Sequence, residues 1–319
     1  MSVSATGSLE EILVLAGLDP TGARVEPLTG GISSETIAVH LRDESFVVKR
    51  SLAQLKVDEE WKASPERILA EGHALNWFHA LTPDTVPCPV ALVKEHLALV
   101  LPMAPSPSPD LRQVLLDSPQ HFSIEWVSTI VSALRTWHTA DPARTVGTDL
   151  DDGVRLKDLR LDPFYRDMGA RWPEYAAVIH NMVRELLEEK HAVVHGDFTP
   201  KNILCLPNDR VWIIDTEVAH IGNPVIDTAS MMAHLLLKSI VHAPRPDIPE
   251  VIRAARKVFL SELPAISVPP SVGAHTGLFM AVRVAGRAKV PYLSPEQRDT
   301  AERVARSLLE GAQLEEVMS

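Results

Sequence analysis

The chain has 319 residues, 45% hydrophobic and 23% charged, with a formal net charge of -11 at pH 7. That is globular composition with length enough for two lobes. Its acidic balance excludes nucleic acid as the main partner, since phosphate-backbone binding needs clustered Lys and Arg. It gives no attraction to an anionic membrane either, but tolerates a cationic substrate.

The opening MSVSATGSLEEIL lacks a basic stretch followed by an apolar core. No signal peptide is therefore expected, and the cytoplasm is the expected compartment. No apolar run approaches a membrane span. Two cysteines, Cys88 and Cys205, make neither a disulfide framework nor a zinc site. Residues 25–50 read as a three-strand meander. Ile37, Val39 and Leu41 share one side of the second strand, Arg42-Asp43-Glu44-Ser45 turns, and Phe46-Val47-Val48-Lys49 returns. Between the first two strands lies Thr29-Gly30-Gly31-Ile32-Ser33-Ser34. Paired Gly30 and Gly31 let a backbone approach a phosphate, and Ser33 and Ser34 add hydroxyl donors. A plain hairpin turn fits the same residues, and a Walker-type loop does not.

Lys49 ends its strand after three apolar residues. Ser64 suits a helix N-cap and Pro65 the first helical position, so a helix is expected from there to about His79. Ile68, Glu71, Leu75 and Phe78 fall on one face of it. A carboxylate in an apolar stripe is costly unless paired. Lys49 is the expected partner of Glu71; the alternative is a Glu71 at the stripe's edge in water. ALV at 91–93 and LALVLPM at 97–103 complete a five-stranded antiparallel sheet. Pro105-Ser106-Pro107-Ser108-Pro109 reads as an extended connector.

Beyond it, Phe122, Trp126, Ile130, Ala133 and Trp137 repeat at helical spacing as core, and another helix covers about 174–189. Ala192-Val193-Val194 then leads into His195-Gly196-Asp197-Phe198-Thr199-Pro200-Lys201-Asn202. Residues 203–206 and 211–214 read as short strands joined by a turn at Pro207-Asn208-Asp209. That hairpin returns Asp215 to the end where Asn202 sits. One carboxylate can orient a hydroxyl nucleophile while an amide and a second carboxylate hold magnesium, which favours oxygen ligands. Asp227 suits the cap of a following helix. Helices are expected near 227–241, 248–262, 271–288 and 295–315.

HGDFTPKN has the H-x-D-x-x-x-x-N spacing of the protein-kinase catalytic loop. With Gly196 and the run IIDTEVAHIGNPVIDTA, the chain resembles the aminoglycoside phosphotransferase and choline kinase group, over about residues 25–293. The resemblance implies an α+β, bilobal, protein-kinase-like fold. A small N-terminal antiparallel-sheet lobe, residues 1–104, would bind nucleotide; a larger, mainly helical lobe, residues 105–319, would be catalytic and bind the acceptor. It implies ATP- and Mg2+-dependent phosphorylation of a hydroxyl on an amino alcohol, aminoglycoside or sugar. Asp197 would be the catalytic base. Asn202 and Asp215 would hold the metal, with Glu217 assisting through metal or water. Lys49, tethered by Glu71, would contact phosphates, and Gly30, Gly31, Ser33 and Ser34 would cover them. Backbone groups around Leu101 and Met103 would lie beside adenine, and His195 would brace the loop.

Thr199 stands where protein kinases carry a lysine, Asp215-Thr216-Glu217 replaces D-F-G, and no segment ends in A-P-E. A small-molecule acceptor is therefore expected over a protein. Two regions bear on it in opposite senses. Asp149, Asp151, Asp152, Asp158, Asp162 and Asp167 would bind amino groups, whereas Arg283, Arg287 and Lys289 would meet an anion. Both also fit ordinary solvated charge, and the sequence selects neither. A catalytically silent nucleotide-binding regulator is the alternative, opposed by the joint presence of Lys49, Asp197, Asn202 and Asp215. Oligomeric state leaves no signal.

Overall fold

The computed structural model describes residues 8–28, 33–42, 44–55, 61–145, 148–151, 153–245 and 247–317. Strands β1 (Arg24–Leu28), β2 (Ser34–His40), β3 (Ser45–Ser51), β4 (Ala91–Val93) and β5 (Ala98–Pro102) form an antiparallel sheet in the order β1-β2-β3-β5-β4. β3 is central, with Lys49 opposite Thr36 of β2 and Leu99 of β5. Alternation sorts the side chains of β5. Ala98 and Val100 join Val39, Phe46 and Val48 beneath helix α1 (Leu9–Leu15), which inserts Ile12 and Leu13. Leu99 and Leu101 point into the main core with helix α2 (Arg67–Leu81). Cover on both faces is why β5 is apolar throughout.

The sequence reading omits α1, although Ser8 and Glu11 form a capping box there. The Ser8 N–H donates to the Glu11 carboxylate at 2.8 Å and the Glu11 N–H to Ser8 Oγ at 3.2 Å. α2 begins later than the expected cap at Ser64. Residues 64–66 form a tight turn instead, with the Arg67 N–H on the Ser64 carbonyl at 3.3 Å and the Ile68 N–H on that of Pro65 at 3.2 Å. The apolar stripe is as expected, since Ile68, Glu71, Leu75 and Phe78 are all fully buried.

The helical lobe starts with α3 (Leu111–Asp117) and α4 (Ile124–Thr139). A continuous helical run follows, made of α5 (Val154–Leu156), wide π-type turns over Lys157–Arg166, and α6 (Asp167–Arg171), then α7 (Ala176–Glu188). Two short antiparallel pairs come next: β6 (Ala192–Val194) with β9 (His220–Gly222), and β7 (Ile203–Cys205) with β8 (Val211–Ile213). Helices α8 (Val225–Val241), α9 (Asp247–Glu262), α10 (Val272–Val284) and α11 (Pro295–Leu309) close the lobe. α8 is buried from Val225 to Ile240 because α9, α10 and α11 all pack on it. Among the described residues no helix is long and apolar enough to cross a membrane. The result is the expected bilobal α+β architecture.

Candidate active site

Lys49 projects from the central strand and meets the one carboxylate in the apolar stripe of α2. Its Nζ lies 2.7 Å from Glu71 Oε1 and donates also to Asp215 Oδ1. Burial opposes the Lys49 charge, but Asp215, Glu71 and Glu217 outweigh it and raise the ammonium above the usual lysine range. Burial, with Asp215 and Glu217 nearby, pushes Glu71 up, against the pull of Lys49. Asp215 reaches this position from a left-handed backbone, φ 67°, just beyond β8. Asp and Asn tolerate that conformation better than other side chains.

The β7–β8 hairpin sets the second half of the site. Ile203 pairs with Ile213, and the Ile214 N–H donates to the Asn202 carbonyl at 2.9 Å. Asn208 and Asp209 both have positive φ in the turn, as a tight hairpin requires. Asn202 Nδ2 donates to the Asp197 carbonyl at 2.9 Å and to Asp197 Oδ2 at 3.1 Å. Its Oδ1 is the atom left for a cation.

Asp197 is buried among cations. Arg160 Nη2 is 2.6 Å from Oδ1, and Lys201 Nζ is 3.1 Å from Oδ2 and 3.9 Å from Asp215 Oδ2. Burial alone would raise the Asp197 carboxyl; Arg160, Lys201 and Arg283 hold it well below the usual carboxylate range. Thr199 is fully buried, so Lys201 is the lysine that this loop presents to the carboxylates. Sequence reasoning missed both Lys201 and Arg160. The spacing of Lys201 from Asp197 was a usable signal, whereas Arg160 had none.

The loop backbone is held from below. The N–H groups of His195 and Gly196 each donate to Asp227 at 2.8 Å, and His138 Nε2 lies 3.2 Å from the same carboxylate. Asp227 therefore serves the loop and not, as expected, the end of its own helix. His195 braces the loop: its Nε2 is 3.0 Å from the Ile214 carbonyl. Gly196 has φ 75°, and a Cβ there would come 2.7 Å from the Val218 carbonyl oxygen. That close approach is why glycine stands between His195 and Asp197.

Glu217 is paired as well, which the sequence did not suggest. Arg67 Nε donates to its Oε2 at 3.0 Å. The same guanidinium holds the carbonyls of Leu52 at 2.9 Å and Ser64 at 3.0 Å, and that of Ser33. Oxygens of Glu71, Asp215 and Glu217 lie within 4.8 Å of one another. Glu71 Oε2 is buried with no hydrogen-bond partner among the described residues. An oxygen-only donor set with an uncompensated acceptor suits a hard cation.

The remaining expected residues are less informative. Gly30 and Gly31 lie outside the described residues. Ser33 and Ser34 are buried at the start of β2, and Ser34 Oγ is 3.3 Å from Thr36 Oγ1. Leu101 is buried in β5. The Met103 N–H already donates to the Ser45 carbonyl at 2.9 Å.

Comparison with solved structures finds the same fold. Aminoglycoside phosphotransferase APH(4)-Ia aligns with a TM-score of 0.57 at 12% identity, covering 96% of this chain and 98% of that one. ADP-bound aminoglycoside phosphotransferase APH(2'')-Ib aligns with a TM-score of 0.53 at 13% identity, over 94% and 97%. Choline kinase LicA from Streptococcus pneumoniae gives 0.53 at 12%, over 95% and 97%. Against curated protein sequences nothing matches. The model of the phosphotransferase enzyme family matches residues 24–256. That span runs from β1 through the paired Lys49 and Glu71 and the whole Asp197–Asp227 loop system into α9, and the chain belongs to the phosphotransferase enzyme family.

Proposed function

We propose that the chain transfers the γ-phosphoryl group of ATP to a hydroxyl of a small molecule. Residues 1–104 form the nucleotide-binding lobe and residues 105–319 the catalytic and acceptor-binding lobe. The observation that carries this reading is the meeting of two charge groups at one hairpin. Lys49, Glu71 and Asp215 gather on one side of it, and Asp197, Asn202 and Lys201 on the other, with Lys201 within reach of both aspartates.

Asp197 orients the acceptor hydroxyl and takes its proton. The acceptor oxygen bonds to the γ-phosphorus, the bond from phosphorus to the β,γ-bridging oxygen breaks, and ADP leaves. Lys49 contacts the nucleotide phosphates, held in place by Glu71. Lys201 supplies a cation beside the transferred group, a role for which charge placed ahead of reaction is effective. Asp215 and Glu217, with Asn202 Oδ1, would hold Mg2+. When bound, that ion neutralises and orients phosphate oxygens. Arg67 balances the Glu217 charge and ties it to the carbonyl of Ser33, just ahead of β2. Because the Met103 N–H is already engaged, its carbonyl is the group available to read a base.

Calorimetric titration of ATP with and without Mg2+ tests this reading. Mg2+ tightens ATP binding to the native chain, and Asp215→Ala loses about tenfold or more of that gain, the scale for damage at a metal site. An ATP affinity indifferent to Mg2+ in the native chain would count against it.

A further inference from the structure

Around Asp197 the side chains of the helical lobe are cationic. Arg160 and Lys201 touch the carboxylate, and Arg283 of α10 acts on it electrostatically. Arg160 and Arg283 both stack on Phe164, with guanidinium carbons 5.0 and 5.5 Å from the ring centroid. α8 adds Lys238, which is fully buried. Its Nζ lies 3.2 Å from His234 Nδ1 and donates to the Tyr292 hydroxyl at 2.8 Å. No carboxylate pairs with Lys238 among the described residues.

Two donors here lack partners among the described residues: His234 Nε2 and Arg283 Nε, both buried atoms. His234 itself is only 8% exposed. With Nδ1 accepting from Lys238, the His234 proton sits on Nε2. Burial, then the charges of Arg283 and Arg112, push Lys238 well below the usual lysine range. Unsatisfied buried donors are costly, and more so when charged. Asp197 is the counter-charge of Arg283, and Lys238 has no carboxylate in direct contact among the described residues.

Cationic acceptors fit poorly. An aromatic face that would receive a quaternary ammonium is already covered, Phe164 by Arg160 and Arg283, and Tyr292 by Lys238 at 4.8 Å. The acidic stretch between 149 and 167 is largely paired. Asp149 meets His73 at 2.9 Å, Asp162 meets Lys157 at 3.1 Å and Arg166, and Asp167 meets Arg171 at 2.6 Å and Arg287 at 3.0 Å. The two regions that point to opposite acceptors in the sequence thus neutralise one another through Asp167 and Arg287. Arg283 donates from Nη1 to the Ala288 carbonyl at 3.3 Å, and its charge acts on Asp197.

We propose that the acceptor is an anionic hydroxy compound, bearing a carboxylate or a phosphate. Arg283 holds its anion, with His234 and Lys238 behind, while its hydroxyl lies against Asp197. This rests on the phosphotransferase reading and names its substrate class.

The test is calorimetry on the full chain saturated with Mg-ADP. The probes are 3-hydroxybutyrate, glycerol 3-phosphate, their neutral counterparts 1,3-butanediol and glycerol, and the cation choline. The anions bind and the neutral and cationic probes do not; which anion binds better separates a carboxylate from a phosphate acceptor. Arg283→Gln and Lys238→Met each weaken anion binding by about tenfold or more, the scale of a lost charged hydrogen bond. Both variants keep their affinity for Mg-ADP, which shows that they fold. Choline binding better than either anion would overturn the proposal. So would the absence of anion binding, or anion binding unchanged in both variants. Failure of the native chain to bind Mg-ADP would overturn the phosphotransferase reading and this proposal with it.

Discussion

Asp197 keeps its charge in a place where burial alone would remove it. Arg160, Lys201 and Arg283 hold the folded-state carboxyl well below its ordinary value. With the folded value under the unfolded one, the ion pairs contribute full stability above the unfolded value and lose it as pH falls towards the folded one. A carboxyl NMR titration of Asp197 should find it still ionised at about pH 4, where a free aspartate is half protonated. A midpoint above about 5 would contradict the arrangement. On the proposed function, a carboxylate held this low would be a weak proton acceptor before the reaction, so its first contribution would be to orient the hydroxyl. Transfer of the proton late in phosphoryl transfer suits a loose transition state.

Helix α8 anchors the loop that carries Asp197. Its first-turn Asp227 receives two backbone N–H groups from the loop and meets His138 of α4. Asp227→Ala strands all three, so it should lower the unfolding free energy by about 3 kcal/mol. It should also lower kcat more than it raises KM for ATP, because Lys49 and Glu71 are held by other elements. Denaturant titration and steady-state kinetics read these two effects; an unchanged kcat would argue against the anchoring role. The elements themselves were legible in the sequence. The β7–β8 hairpin follows from its turn residues, and the paired Lys49 and Glu71 from one carboxylate in an apolar stripe. The role of Asp227 was not, because a first-turn carboxylate looks the same whether it caps its own helix or reaches another segment. Arg160 was unreadable for a related reason: its partner lies far along the chain, and no local pattern selects it. Arg283 stood out as a basic residue able to meet an anion, but its place beside Asp197 did not.

For the whole molecule, α2 is the joint between the lobes. Its Arg67 meets Glu217, its Glu71 carbonyl accepts from Thr216 Oγ1 at 3.2 Å, and its His73 meets Asp149 at 2.9 Å. The main hydrophobic core also runs from α2 into the helical lobe without a break. Arg67 and Glu217, 150 residues apart, are both buried. Arg67→Met alone leaves a buried carboxylate unpaired and should cost about 3–5 kcal/mol. Arg67→Met combined with Glu217→Gln should recover much of that loss in denaturant titrations, as double-mutant coupling requires. Additive losses would mean that the pair does not join the lobes. If these parts meet to move a phosphoryl group, the decisive measurement is acceptor-dependent release of ADP from Mg-ATP, with Asp197→Ala measured beside the native chain. Release should depend on the acceptor and fall about 10²–10⁴-fold in the variant, with nucleotide binding nearly intact. Turnover in Asp197→Ala equal to that of the native chain would contradict it.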